Sequence, residues 1–306
     1  MIMFEGKTTP KEIFDLILKE IVKHGGLEKA FPHEGRIQLY TGPNRKYIEE
    51  DKSGNRPTIG LKIKNSDRAE NQAKEWDATR LDDTPIGRFL FETNHLYEWF
   101  EEVHTDKTTG FFNRRQFIED TKAITSFASA LFIRTASGDV QTCVCGGERD
   151  RVFCETEMHG MCDRSRFPIE AEALVAALLA NEDIETINGV SIDKYRKIYA
   201  TGNYEKVYRA ICLAELRQRK QKAIAEKDAD IYADYLDRKE LYEYDQVYMG
   251  TAISKRPAFQ KVLRDKTIRE AEKQEKIEKF KAACAAPATP KTPAPRGRKP
   301  SGPAPR

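Results

Sequence analysis

The sequence predicts an α+β protein: a small antiparallel sheet with helices, followed by a mainly α-helical C-terminal half and a disordered tail. Three features lead there. Before residue 164, short runs that alternate apolar and polar residues stand between helical patterns, and after Pro168 nearly every pattern has helical spacing. Residues 285–306 hold seven of the fourteen prolines and no aromatic or branched aliphatic side chain, which is too little apolar surface to fold. The expected organisation is a mixed domain over 1–164 ending in a cysteine-rich β-meander, a mainly helical region over 165–284, and a Pro/Ala/basic tail over 285–306.

Thr9 and Pro10 open the first helix as N-cap and first helical residue, with Ile13, Ile17, Leu18 and Ile21 as its apolar stripe and His24-Gly25-Gly26 as its end. Arg36–Tyr40 and Thr58–Ile63 alternate as half-buried strands do. Residues 65–84 are charged and without period, and read as a loop that holds a short helix at most. Pro85–His104 is expected as one helix and Asn113–Thr125 as another. Ala128–Thr135, Val140–Cys145 and Arg151–Thr156 are expected as a three-stranded meander, turned by Ser137-Gly138-Asp139 and Gly146-Gly147.

Ile169–Ala180 is apolar almost all round, as in a helix buried on most sides. Ser191–Ala200 and Tyr204–Lys227 form two helices around a Thr201-Gly202-Asn203 turn, with Val207, Tyr208, Ile211 and Ala214 along one side of the second. Asp228–Tyr248 contains five of the twelve tyrosines, with Tyr232, Tyr235 and Leu236 at helical spacing for aromatic packing. A charged helix follows from Pro257 to Cys284. Its sparse stripe of Phe259, Val262, Leu263, Ile277 and Phe280 suits docking on the body or on a partner.

The formal charge of +3 comes from the tail, where Lys291, Arg296, Arg298, Lys299 and Arg306 have no acidic companion. Taking those five from the 52 basic residues leaves 47 against 49 acidic ones, so the body stands at −2 and any basic surface on it has to be local. Glu5 interrupts the N-terminus before a signal-like apolar run can form, and no run approaches the roughly 20 apolar residues of a membrane span. A cytoplasmic, reducing setting without a membrane partner is the expectation.

Cys143, Cys145, Cys154 and Cys162 gather within twenty residues, with His159 beside them. If the link between the second and third strands holds an even number of residues, the strand period of two brings Cys143, Cys145 and Cys154 to one face, and Cys162 or His159 returning from the next loop completes four soft ligands for a structural zinc ion. A single residue between Cys143 and Cys145 departs from the usual zinc knuckle, and packing of the thiols as small apolar groups is the alternative. A thiol nucleophile at Cys154 with His159 as base lacks an orienting third group. His95 and His104 lie nine residues apart, on different sides of an ideal helix, so the glutamates between them read as a solvated face.

Residues 106–117, Asp-Lys-Thr-Thr-Gly-Phe-Phe-Asn-Arg-Arg-Gln-Phe, resemble the opening motif of diguanylate cyclases. The acidic strand that follows in that family is missing here, so the resemblance implies a turn into a helix and no catalytic residue. Pro295-Arg296-Gly297-Arg298-Lys299-Pro300 is similar to an AT-hook. That resemblance implies an Arg-Gly-Arg core laid in the minor groove of A·T-rich DNA, where a narrow groove concentrates negative potential. Lys299 stands where the family has proline. The paired helices of 191–211 have the outline of a helix-turn-helix, with Arg209 and the basic run of Arg217, Arg219 and Lys220 as DNA contacts.

The functional expectation is a non-enzymatic nucleic-acid-associated protein, with DNA as partner through the tail and a structural zinc site. The alternative is a scaffold that assembles with itself or another protein through its C-terminal helices. A third reading is an enzyme with a site near the cysteines.

Overall fold

Helix α1 (Pro10–His24) runs between its expected signals. The Glu12 carboxylate accepts hydrogen bonds from the backbone N–H groups of Thr8 and Thr9, and these hold its pKa below the usual glutamate value. Gly25, at φ 86°, closes the other end in the left-handed conformation that glycine adopts at no steric cost. Ile13, Leu16, Ile17 and Ile21 face inward, whereas Leu18 is 45% exposed. The structure is a computed structural model and describes residues 4–33, 36–40, 65–143, 168–202, 204–249 and 259–285.

The α+β architecture stands, but the sheet is mixed and not antiparallel. Strands β1 (Arg36–Tyr40), β2 (Ala78–Arg80), β3 (Gly138–Cys143), β4 (Ile184–Ile187) and β5 (Val190–Ser191) lie in the order β2-β1-β3-β4-β5. β1 is parallel to β2 and to β3, and β3 is parallel to β4; β4 and β5 alone form an antiparallel pair. Parallel neighbours need crossovers, and helices fill that role. Helix α3 (Asn65–Trp76) precedes β2, and a short α2 (Leu27–Ala30) precedes β1. The long helix α6 (Arg114–Arg134) leads into β3, and α7 (Pro168–Ala180) lies between β3 and β4.

Residues 65–84, expected as a loop with a short helix at most, hold the 12-residue helix α3, because Ala69, Gln72 and Ala73 press one small face on the sheet. Residues 128–134, expected as a strand, continue α6: Phe117, Thr121, Ile124, Ala128 and Phe132 bury one stripe at helical spacing straight through them. Of the expected meander, β3 is the strand found among the described residues. The expected third strand at 151–156, like the strand at 58–63, lies outside the described residues.

Pro85–His104 divides into α4 (Pro85–Arg88), a π-turn over Phe89–Thr93, and α5 (Leu96–Val103). Asn94 makes the break: both its backbone N–H and its side-chain amide donate to the Phe89 carbonyl, at 3.2 and 2.7 Å, and His95 follows at φ 48°. Gly87 is required here, since a Cβ would sit 2.0 Å from the Leu81 carbonyl oxygen. The cyclase-like residues form a capped turn, in which Asp106 accepts from the N–H groups of Thr108 and Thr109 and Asn113 caps α6.

The second half holds α7, α8 (Ile192–Ala200), α9 (Tyr204–Glu226), α10 (Ala229–Met249) and α11 (Phe259–Ala285). Over the described side chains 173–180 of α7, Leu174, Val175 and Leu178 are buried, Ala177 and Leu179 pack half-buried against the core, and Ala176 and Ala180 reach solvent. Asn188 and Gly189, both with positive φ, turn β4 into β5 as a tight hairpin. One buried cluster includes residues from Phe4 through Tyr235, on both sides of residue 164, and β3 pairs with β4 across that point. Tyr232 and Tyr235 pack as expected, and Phe280 of α11 stacks on Tyr232 at 4.2 Å. Among the described residues no helix is long and apolar enough to cross a membrane.

Candidate nucleic-acid interface

Helix α9 is held between the sheet and α10, and its two faces carry charge in opposite ways. Val207, Tyr208, Ile211, Ala214, Leu216 and Ala223 bury an apolar side, and Glu215 and Arg219 lie within the same interior. Glu215 is 2% exposed and Arg238 of α10 is 1% exposed, which makes each too costly to leave unpaired. Arg238 Nη1 donates to Glu215 Oε1 and to Gln72 Oε1 of α3, both at 2.8 Å, and its Nε donates to Asp234 at 2.9 Å. Desolvation pulls the Arg238 pKa down, but Cys143, Asp234 and Glu215 outweigh it and hold the pKa well above the ordinary arginine value.

The network continues to the carboxyl end of β3. Thr142 Oγ1 donates to Glu215 at 3.0 Å, its carbonyl accepts from Gln72 at 2.7 Å, and its backbone N–H donates to Asn188 Oδ1 at 2.8 Å. Arg219 donates from Nε to Asp234 at 2.8 Å and also pairs with Glu75. Lys222 pairs with Glu226 at 3.1 Å and lies 4.9 Å above the Trp76 ring. This cluster ties the sheet to the α9–α10 pair through side chains on α3, β3, α9 and α10.

The other side of α9 is cationic and faces water. Lys206, Arg209, Leu213, Arg217, Lys220 and Ile224 are all exposed, and at about 100° per residue they fall within an arc of about 80° along about 27 Å of helix. No acidic residue lies in that arc. Among the described residues Arg209 and Arg217 form no ion pair, and Lys220 reaches only the face of Tyr235, at 5.8 Å. Like charges three residues apart, as at Lys206 with Arg209 and Arg217 with Lys220, repel by a few tenths of a kcal/mol. The exposed face of α11 is the control: there Lys279 pairs with Glu275, and Lys281 with Glu278 at 3.0 Å.

Of the expected nucleic-acid contacts, Arg217 and Lys220 therefore face outward. Arg219 does not: it is 9% exposed and bound to two carboxylates, so it is corrected to a structural residue. Arg296, Gly297, Arg298 and Lys299 lie outside the described residues. Lys206, absent from the expected set, belongs to the stripe by helical period, and the inward Glu215, Gln72 and Arg238 went unrecognised because no local motif marks a network drawn from four elements.

Cys143 is fully buried at the carboxyl end of β3, within electrostatic reach of Arg238. Cys145, Cys154, His159 and Cys162 lie outside the described residues. Among the described residues no three His, Cys, Asp or Glu side chains are grouped to hold a metal. His104 pairs with Asp120 at 3.0 Å, and His95 stands before α5 in the left-handed conformation at φ 48°.

Family models, curated proteins and solved structures gave no match to this chain. The functional reading therefore rests on the charge geometry of α9 and on the composition of the residues after 285.

Proposed function

We propose that this protein is a non-enzymatic nucleic-acid-associated protein whose outward α9 face and basic residues 291–306 contact the phosphate backbone of DNA. The observation that carries the reading is the single-sign stripe of Lys206, Arg209, Arg217 and Lys220 on a body whose net charge is −2. A stripe of this length suits a row of phosphates, whose condensed counterions are released on binding. The AT-hook-like residues Arg296-Gly297-Arg298 add a second cationic element. In fluorescence anisotropy with a labelled DNA duplex, the triple variant Arg209→Ala, Arg217→Ala, Lys220→Ala is expected to bind on the order of tenfold more weakly at low salt. Unchanged affinity in a folded variant would remove α9 from the function.

The reading includes a structural zinc ion held by Cys143, Cys145, Cys154 and either Cys162 or His159. Its support is the soft donor set itself and the place of Cys143, at the end of a strand tied into the buried network, where a bound ion would fix the chain that follows. Metal analysis of protein purified without added zinc is expected to find a stoichiometric ion that the Cys143→Ser, Cys145→Ser variant loses together with thermal stability. Metal-free wild-type protein would contradict the site.

A further inference from the structure

The outward face of α9 reads the same from either end. Leu213 stands at its centre, with Arg209 and Arg217 four residues to either side and Lys206 and Lys220 seven residues to either side, all of them exposed. Four residues of α-helix advance about 6 Å and turn about 40° past one full turn, and seven advance about 10.5 Å and stop about 20° short of two. The arginines therefore lie about 40° to opposite sides of Leu213 and the lysines about 20° to opposite sides. A two-fold axis through Leu213, perpendicular to α9, exchanges one Lys-Arg pair with the other. Both lysine stems rest on the body: that of Lys206 runs over Gly202, where a Cβ would collide with its Cδ, and Lys220 lies 5.8 Å from the Tyr235 ring.

Symmetry selects among the anionic occupants of such a face. A single nucleic-acid strand has one backbone with a direction, and no two-fold axis relates its phosphates. A second copy of this chain would set Arg209 against the partner's Arg217 and Lys206 against the partner's Lys220, cation upon cation. A duplex has two antiparallel strands related by local two-fold axes that pass through its grooves. Along α9 the arginines are about 12 Å apart and the lysines about 21 Å, so the four cations bracket a major groove about 12 Å wide and overshoot a minor groove about 6 Å wide. We propose that α9 lies across the major groove of a DNA duplex with Leu213 on the local two-fold axis, Lys206 and Arg209 on the phosphates of one strand and Arg217 and Lys220 on those of the other. This placement rests on the preceding assignment of α9 to DNA and adds to it the duplex, the groove and the use of both strands. Because of the axis, the face binds equally well in either direction. Leu213 stands between two rows of phosphates, where a carboxylate in its place would be repelled from both sides.

Fluorescence anisotropy of the full chain at low salt compares three labelled probes of about 12 nucleotides per strand, a little over one helical turn. They are a DNA duplex, one of its single strands, and the same duplex with one strand made of uncharged methylphosphonate. Two variants each remove one pair of cations: Lys206→Ala, Arg209→Ala and Arg217→Ala, Lys220→Ala. On the full duplex each is expected to bind about fivefold more weakly, the two agreeing within about twofold, and to lower the slope of log affinity against log salt by about 1.8. On the half-neutral duplex only one pair meets phosphates, and either pair serves when the helix turns round. There each variant is expected to lose no more than about twofold, whereas removal of all four cations loses about fivefold. The single strand is expected to bind more weakly than the duplex, and Leu213→Glu to weaken duplex binding more than Leu213→Gln.

If each two-residue variant weakens binding to the half-neutral duplex as much as to the full one, or if the single strand binds as tightly as the duplex, α9 follows one strand. Either result overturns the placement across the groove and leaves α9 as a DNA contact. A dimer seen by sedimentation without DNA, and dissociated by Leu213→Glu, would give the face to a second copy and overturn the placement as well. Wild-type affinity for the full duplex after removal of all four cations would overturn both the placement and the assignment on which it rests.

Discussion

The inward and outward faces of α9 carry the same residue types to opposite ends. Inward, Glu215, Arg219 and Lys222 are matched by Arg238, Asp234, Glu75 and Glu226, so that each inward charge is paired within the protein. Outward, Lys206, Arg209, Arg217 and Lys220 stand in one row with no acid among them. A basic run in the sequence is thus not a basic surface. In Arg217-Gln-Arg-Lys-Gln-Lys the helical period sends positions 217 and 220 to water, position 219 to the interior and position 222 to its half-buried edge. Arginine on one face is part of the fold, and on the other it is available to a ligand.

That contrast makes mutational effects separable, and the largest belongs to the inward face. Arg238→Met leaves Glu215 and Asp234 buried without their shared cation and is expected to lower stability by about 3–5 kcal/mol in chemical denaturation. Arg219→Met, whose partner Glu75 is partly solvated, follows with about 1–3 kcal/mol. Neither substitution should alter the salt dependence of DNA binding while the protein stays folded. Equal tolerance of Arg238→Met and Arg217→Ala would erase the distinction between the faces.

The outward substitutions reverse the pattern. Arg217→Ala and Lys220→Ala are each expected to change stability by about 0.5 kcal/mol or less. Each is also expected to reduce the slope of log affinity against log salt by about 0.9. Lys220 also lies over Tyr235, so its removal should cost slightly more stability than removal of Arg217. A slope unchanged by both would mean that the outward face is merely solvated.

Much of the helical half was legible because its apolar spacing is regular and its breaks are marked. Thr201-Gly202 ends α8 ahead of α9, and Phe280, one of the sparse apolar residues of α11, docks on Tyr232. The sheet was less legible. Leu131-Phe132-Ile133 is a short apolar run that fits a buried strand as well as the end of a helix, and only the stripe from Phe117 onward decides for α6. Strand direction leaves no mark in alternation, so the parallel pairing of β1 with β2 and β3 came from the crossovers, one of which is the polar α3. Asn188-Gly189, by contrast, marks the β4–β5 hairpin by residue type alone. At the interface, period alone separates Arg219 from Arg217 and Lys220, whereas the partners of Arg219 lie 15 and 144 residues away and no local pattern announces them.

Lysine footprinting of the full chain with and without a DNA duplex tests most directly which face of α9 meets the ligand. Acetylation rates read by mass spectrometry are expected to fall at Lys206 and Lys220 when DNA is added, while Lys222, held by Glu75 and Glu226, keeps its slow rate. DNA-dependent protection confined to Lys291 and Lys299, with Lys206 and Lys220 reacting as in the free protein, would contradict the assignment of the outward α9 face to nucleic acid.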